Sequence, residues 1–141
     1  MTRPEVLRRR LARLEEYLGI LRRLSAYSLE EFLANPERYG AAERFLQLSI
    51  EAINDMAAHV AAEEGWGPFE RARDLVDLFL AQGLLEEELA ERWRRMIGFR
   101  NLLVHDYLDV DRKLVHPSSG GPAGPRGPSP DFRPLSLAPS P

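Results

Sequence analysis

Cysteine is absent from this 141-residue chain, and that one absence closes several routes. It excludes a disulfide framework, a thiolate metal site and a cysteine nucleophile. Histidine is scarce as well: His59, His105 and His116 are all there are, too few for a multi-histidine zinc site. No stretch approaches the roughly 18 apolar residues of a membrane span. The N-terminus, MTRPEVLRRRLARLEE, is charged throughout and lacks the apolar core of a secretory signal. A soluble cytoplasmic protein is the expectation. A surplus of positive charge is also missing, since the formal net charge is −3; this argues against a surface coated for bulk nucleic-acid binding. Lysine is nearly absent, at one (Lys113) against 18 arginines. That skew points more to a GC-rich genome than to a function, although arginine is the better fork for phosphate.

Proline is almost missing from most of the chain and crowded into its end. Residues 1–115 hold Pro4, Pro36 and Pro68, whereas the other eight prolines fall between His116 and Pro141. The chain therefore divides into a body, 1–115, long enough for one modest core, and a tail, 116–141. The tail has too little apolar content to offset its ordering entropy.

The body reads as helices. Leu7, Leu11, Leu14, Leu18 and Leu21 recur at alternating four and three, the stripe of one helix from about Arg3 to Ala26. Thr2 and Glu5 have capping-box spacing, as do Ser28 and Glu31 ahead of a short helix that stops before Asn35-Pro36. After Gly40 a helix of about six turns carries Leu46, Ile50, Ile53, Ala57 and Val60 on one side and stops at Gly65. Its small residues Ala57, Ala58, Ala61 and Ala62 invite close approach of a neighbour. A fourth segment begins at Pro68 with Leu75, Leu78 and Phe79 inward, and Gly83 stands where a C-cap glycine belongs. The last helix starts near Leu85 and carries Leu89, Trp93, Met96 and Ile97. With no two-residue alternation anywhere, the fold class is all-α, an antiparallel helical bundle.

The stretch Arg100-Asn101-Leu102-Leu103-Val104-His105-Asp106-Tyr107 carries the chemistry. Residues five apart on a helix differ in direction by about 140°. One straight helix therefore does not aim Arg100 and His105 at one point. Either the helix ends or bends here, or a second copy completes the site. A permanent cation beside an imidazole is suited to phosphodiester cleavage. Arginine holds phosphate bidentately and stabilises charge in the transition state, and histidine moves protons. Asn101 could fix the phosphate or the histidine through its amide. The plainer alternative is a salt bridge or a partner for the helix C-terminal dipole.

RNLLVHDY resembles the Arg, four residues, His, any residue, Tyr motif of HepT-like toxins, a branch of the HEPN superfamily. FLQLSIEAINDMAAHVAAEEGWGP and ELAERWRRMIGFRNLLVHDYLDVD are similar to that family's central helices, so the resemblance covers about Arg3 to Val115. It implies a helical homodimer in which two Arg–His motifs meet at the interface. It implies, further, an endoribonuclease that needs neither metal nor cofactor, with Arg100 and His105 catalytic and a 2′,3′-cyclic phosphate as product. RNA, either tRNA or mRNA, is the implied substrate. The implied partner is an MNT-type nucleotidyltransferase antitoxin that transfers AMP to Tyr107. Asn101 matches the polar residue often found after the arginine, and Asp106 is a further polar candidate. The alternative reading is a non-catalytic or degenerate helical dimer that only binds such a nucleotidyltransferase.

Other residues have two readings. Arg92, Arg94 and Arg95 are RNA-binding candidates, or else a solvated face with Glu88 and Glu91. Glu51 and Asp55 could position Arg100, though an exposed charged face is the plainer account. His59 reads as a hydrogen-bonded, half-buried side chain, Trp93 as core, and His116 as solvated. The tail departs from the family, which continues into another amphipathic helix. Pro, Gly and Ser make up 17 of its 26 residues, so it reads as a linker, a disordered tail or the product of a shifted reading frame. Loss of that helix would bare part of the apolar stripe.

Overall fold

The computed structural model describes residues 3–105 and 112–117. Five helices, α1 (Arg3–Leu24), α2 (Leu29–Leu33), α3 (Pro36–Glu64), α4 (Ala72–Ala81) and α5 (Glu87–His105), are followed by one 3₁₀ turn, Arg112–Val115. There is no strand among the described residues. The expected all-α bundle is therefore the fold observed.

Local chemistry explains most helix ends. At α2 the capping box is complete: Glu31 N–H donates to Ser28 Oγ at 3.1 Å, and Ser28 N–H donates to Glu31 Oε1 at 2.9 Å. Helix α3 starts at Pro36 rather than after Gly40. Asn35 Oδ1 accepts from Glu37 N–H at 2.8 Å, and proline in the first helical turn gives up no hydrogen bond. Gly40 lies within the first turns, where tertiary packing overrides its poor helix propensity. At the other end Gly65 adopts φ 74°, the left-handed stop that glycine tolerates. Helix α4 begins at Ala72, not at Pro68, because Asp74 Oδ2 accepts from the N–H groups of Glu70 and Arg71 and fixes the start there. The segment 66–71 before it is non-helical. Gly83, φ 74°, follows the end of α4 as expected. Helix α5 begins at Glu87, two residues later than the sequence suggests. Thr2 lies outside the described residues.

Helix α3 is the central element. Tyr17 packs at a tilt against Phe45 while Arg10 reaches Asp55, so α1 runs antiparallel to it. Trp93 Nε1 donates to Asn54 Oδ1 at 2.9 Å while Arg100 reaches Glu51, so α5 is antiparallel to it as well. Helix α4 lies against α5, with Phe79 edge-on to Trp93. One buried cluster joins Leu14, Leu18 and Leu21 of α1 to Leu46 and Ile50 of α3 and Met96, Phe99 and Leu103 of α5. A second joins Ala57 and Ala61 of α3 to Leu75 and Val76 of α4 and Trp93 and Ile97 of α5. Each large side chain removed from water in this way contributes about 1.5–3 kcal/mol. The alanines at 57 and 61 let α4 and α5 approach α3 closely. Trp93 is core, as its stripe implied.

Two expectations about the end of the body need correction. His116 is not solvated. It is buried, donates from Nε2 to the Tyr27 carbonyl at 2.8 Å, and meets Phe32 edge to face. Val115 and Pro117 are buried with it, so the packed body extends past the boundary drawn at Val115. Nor does a bare apolar stripe show among the described residues. The exposed large hydrophobics, Tyr27, Leu29, Leu84, Val104 and Leu114, are scattered over separate elements. The Pro/Gly-rich segment from residue 118 onward, with its linker and reading-frame alternatives, lies outside the described residues. No described helix is long and apolar enough to cross a membrane.

Candidate functional site

Arg100 lies between two buried neighbours on α5, Phe99 and Leu103, which fix the helix face and turn the arginine toward α3. There Nε and Nη2 both donate to Glu51 Oε2, at 3.0 and 2.8 Å. Gln47 Nε2 donates to the same oxygen at 3.1 Å. Burial pushes the Glu51 carboxyl up, but the hydrogen bonds from Gln47 and Arg100, with the charges of Arg100 and Arg44, outweigh it. They hold the carboxyl below its ordinary range, so Glu51 is an anion at neutral pH. The plainer account of Glu51, an exposed charged face, is therefore wrong; it anchors the arginine. Asp55, one turn further on, pairs instead with Arg10 at 3.4 Å.

Asn101 completes this arrangement. Its Oδ1 accepts from Arg100 Nη1 at 3.2 Å. Three of the five guanidinium N–H donors are thus engaged, which leaves two for a substrate. Helix α5 stays regular from Glu87 to His105, so the directions of residues 100 and 105 diverge by about 140°. His105 is placed by its backbone, as the last residue of α5. Asp106 and Tyr107 lie outside the described residues.

Glu51 and Asp55 stand between two hollows and line both, whereas Arg100 lines only the smaller. The larger, about 800 Å³, opens between α1 and α3 beside Arg9, Arg10, Arg13 and Tyr17. The smaller, about 440 Å³, opens toward the start of α4 beside Arg71, Arg73 and Asn54 and reaches Arg100 and Asn101. Neither Arg71 nor Arg73 stands out in the sequence, because both precede the apolar stripe of α4 without any motif.

The remaining candidates lie elsewhere. Arg94 is held by three carboxylates, Asp77 and Glu91 at 3.1 Å and Glu87 at 3.2 Å. The hydrogen bonds to Asp77 and Glu87 raise its pKa further above its ordinary value. Arg95 lies 3.9 Å from Glu91, and Arg92 lines a separate hollow with Glu86 and Glu88. The contacts of Arg94 and Arg95 are those of a charged face, whereas Arg92 only shares a hollow with its glutamates. His59 is half-buried, but its Nε2 has no hydrogen-bond partner among the described residues, contrary to the expected bonded state, and it lines neither hollow. Among the described residues no three His, Asp or Glu side chains gather closely enough to hold a metal ion.

Comparison with known proteins bears on the whole arrangement. The family described as Ribonuclease HepT-like matches residues 14–118. The chain is similar to the tRNA nuclease HepT of Aphanizomenon flos-aquae, with 31% identity over 113 residues, covering 79% of this chain and 76% of that protein. It is also similar to the mRNA nuclease HepT of Shewanella oneidensis, with 31% identity over 70 residues, covering 50% of this chain and 53% of that protein. The family match spans the central helices, the 3₁₀ turn and the RNLLVHDY segment alike: this chain belongs to the HepT-like ribonuclease family.

Proposed function

We propose that this chain is a metal-independent endoribonuclease toxin in which Arg100 and His105 act together on a phosphodiester. The observation that carries this reading is the clamp on Arg100. Glu51 and Asn101 hold the guanidinium in the wall of the smaller hollow while two of its N–H donors stay uncommitted. A guanidinium fixed in advance costs little reorganisation when charge builds on a transferring phosphate. RNA supplies its own nucleophile. The ribose 2′-oxygen attacks phosphorus, the P–O5′ bond breaks, and the products are a 2′,3′-cyclic phosphate and a free 5′-hydroxyl. The proton leaving the 2′-hydroxyl and the one reaching the 5′-oxygen pass through imidazole, the role of His105.

The 140° divergence along α5 supports a second copy of the chain. A homodimer brings one protomer's histidine to the other's arginine, which a single regular helix does not do. In this reading a nucleotidyltransferase antitoxin silences the site. The Tyr107 hydroxyl attacks the α-phosphate of ATP, pyrophosphate leaves, and the added adenylate repels an incoming RNA phosphate. Names of the similar proteins point to tRNA and to mRNA as targets, so RNA is the substrate class, with a cytoplasmic site of action.

Incubation of purified protein with labelled RNA tests the proposal. Cleavage to cyclic-phosphate ends by the wild type, and its loss in His105→Ala and Arg100→Ala, is expected. Equal cleavage by all three removes the catalytic assignment. The non-catalytic alternative predicts a stable complex with the nucleotidyltransferase and no cleavage even when mass spectrometry shows Tyr107 unmodified.

A further inference from the structure

The smaller hollow, beside α4, has a hydrogen-bonding bias that the catalytic pair does not explain. Part of the acceptor capacity of its two carboxylates is already committed. Glu51 Oε2 receives Arg100 and Gln47, and Asp55 faces Arg10. The oxygen of Asn54 receives Trp93 Nε1 at 2.9 Å; indole is a donor only, so the amide nitrogen of Asn54 is the end left uncommitted. Asn101 likewise spends its oxygen on Arg100 and keeps its nitrogen. Both amides on the cavity thus keep their N–H ends, beside the guanidinium groups of Arg71, Arg73 and Arg100 and the carboxylates of Glu51 and Asp55.

Arg73 adds a charge to that wall. Its guanidinium lies against α5 at Gly98, where a built Cβ would come within 3.3 Å of Nη2. The missing side chain at 98 is what lets the arginine lie that close. Gly98 is one helical turn before Asn101, a rise of about 4.5 Å. Arg73, packed on Gly98, and Arg100, with Asn101, therefore reach the same cavity from α4 and α5. No carboxylate pairs with Arg73 among the described residues, in contrast to Arg94, which has three. At about 440 Å³ the cavity is within the range of about 300–1,000 Å³ usual for small-ligand sites.

We propose that Arg73 and Asn54 form a second phosphate subsite, which holds the RNA phosphate next to the one placed at Arg100. The inference deepens the ribonuclease reading and rests on it for the identity of the strand. Arg73 supplies the charge and the fork, Asn54 a neutral donor pair fixed by Trp93, and Gly98 the clearance. Arg71 lines the same cavity and strengthens its field.

The test measures binding rather than cleavage, so that it is separable from the catalytic claim. A short fluorescent single-stranded RNA is titrated by anisotropy into the full chain carrying His105→Ala, at several salt concentrations. Adding Arg73→Gln is expected to weaken binding about three- to tenfold and to reduce the log–log salt slope by about 0.7, the value of one single-strand phosphate contact. Arg73→Lys keeps the slope while losing part of the affinity. Asn54→Asp retains an oxygen for Trp93, and hence the fold, but places a carboxylate in the cavity; it is expected to weaken binding at least as much. Arg22→Gln, an exposed charge loss on α1 that lines neither hollow, is the control. Binding and slope in Arg73→Gln no different from Arg22→Gln, or full affinity in Asn54→Asp, overturns the subsite. Absence of RNA binding by the parent overturns it too. Failure of the wild type to cleave RNA overturns the ribonuclease reading alone.

Discussion

Replacing Glu51 asks how much of the site is the clamp. Its Oε2 receives two hydrogen bonds from Arg100 and one from Gln47. Hydrogen bonds to charged groups contribute about 1.5–3 kcal/mol each when well buried. The two side chains are 30% and 32% exposed, and solvent screening lowers that figure. Glu51→Ala should therefore cost about 1–2 kcal/mol in total, or roughly 4–8 °C in Tm. The kinetic cost should be larger than the stability cost. A guanidinium free to wander by about 1 Å can lose on the order of 10²-fold in rate, so kcat is expected to fall about ten- to a hundredfold. Glu51→Gln keeps an acceptor but not the charge and should fall between. Because both substitutions remove a negative charge near the RNA, KM should stay level or drop while kcat falls. Steady-state cleavage of a labelled RNA separates the two parameters. Unchanged or faster turnover in Glu51→Gln would refute the clamp, for it would mean that Glu51 competes with phosphate for Arg100. The acid limb adds an independent check. The carboxyl is held below its ordinary value of 4.5, so its contribution is present above pH 4.5 and is lost as pH falls through the lower folded value. Glu51→Gln should flatten stability below about pH 4.5.

Three further expectations concern the frame around the site. His116→Ala should cost about 2–3 kcal/mol in urea unfolding, and His116→Phe about 1 kcal/mol, since the latter keeps the ring contact with Phe32 but not the bond to the Tyr27 carbonyl. Glu43 is nearly buried, and burial raises its pKa against the opposing charge of Arg112. The folded chain thus binds that proton more tightly than the unfolded one and loses stability as pH rises from about 4.5 through the raised value. Glu43→Gln should remove that decline and leave the protein as stable or more so at pH 7, by up to ~1 kcal/mol, as thermal melts across pH would show. Arg94→Ala should change stability by less than about 1 kcal/mol and RNA affinity hardly at all, because three carboxylates already offset its charge; a loss of affinity as large as that expected for Arg73→Gln would restore Arg94 as an RNA contact.

The helices and their faces were legible because periodicity and capping are local. The stripe through Leu14, Leu18 and Leu21 is buried as read, and Ser28 and Glu31 close the box their spacing announces. Helix starts were less legible where a side chain competed with proline or glycine. Asn35 moves α3 forward across Gly40, and Asp74 holds α4 back to Ala72. Arg100 and Asn101 were visible as a motif, whereas their supports depended on which turn of α3 faces α5. Glu51 and Asp55 are equivalent in the sequence, both acidic and one turn apart. Only packing sends one to Arg100 and the other to Arg10. His116 looked solvated because prolines and glycines follow it, but one turn of 3₁₀ helix folds it back onto Phe32.

The clamp also ties the chemistry to the core. Ile50 is fully buried and precedes Glu51; Phe99 is buried and precedes Arg100. Each charged residue is therefore aimed by the apolar neighbour that anchors its helix, and the pair forms only when α3 and α5 are packed. On α4 the same logic holds through Leu75 and Val76, which seat the helix whose first turn carries Arg73. A substitution that loosens the cluster of Ala57, Leu75, Val76 and Trp93 should then shift Arg73 and Asn54 together, since Trp93 is both a core member and the hydrogen-bond donor to Asn54. Trp93→Phe makes the connection measurable. It keeps most of the apolar contact but frees the Asn54 oxygen toward the cavity, where an acceptor would meet an anion. Its stability cost should be about 1–2 kcal/mol, and its RNA affinity should fall by more than that of an equally destabilised core variant such as Val76→Ala. Equal affinities in the two variants would show that Trp93 acts through packing alone.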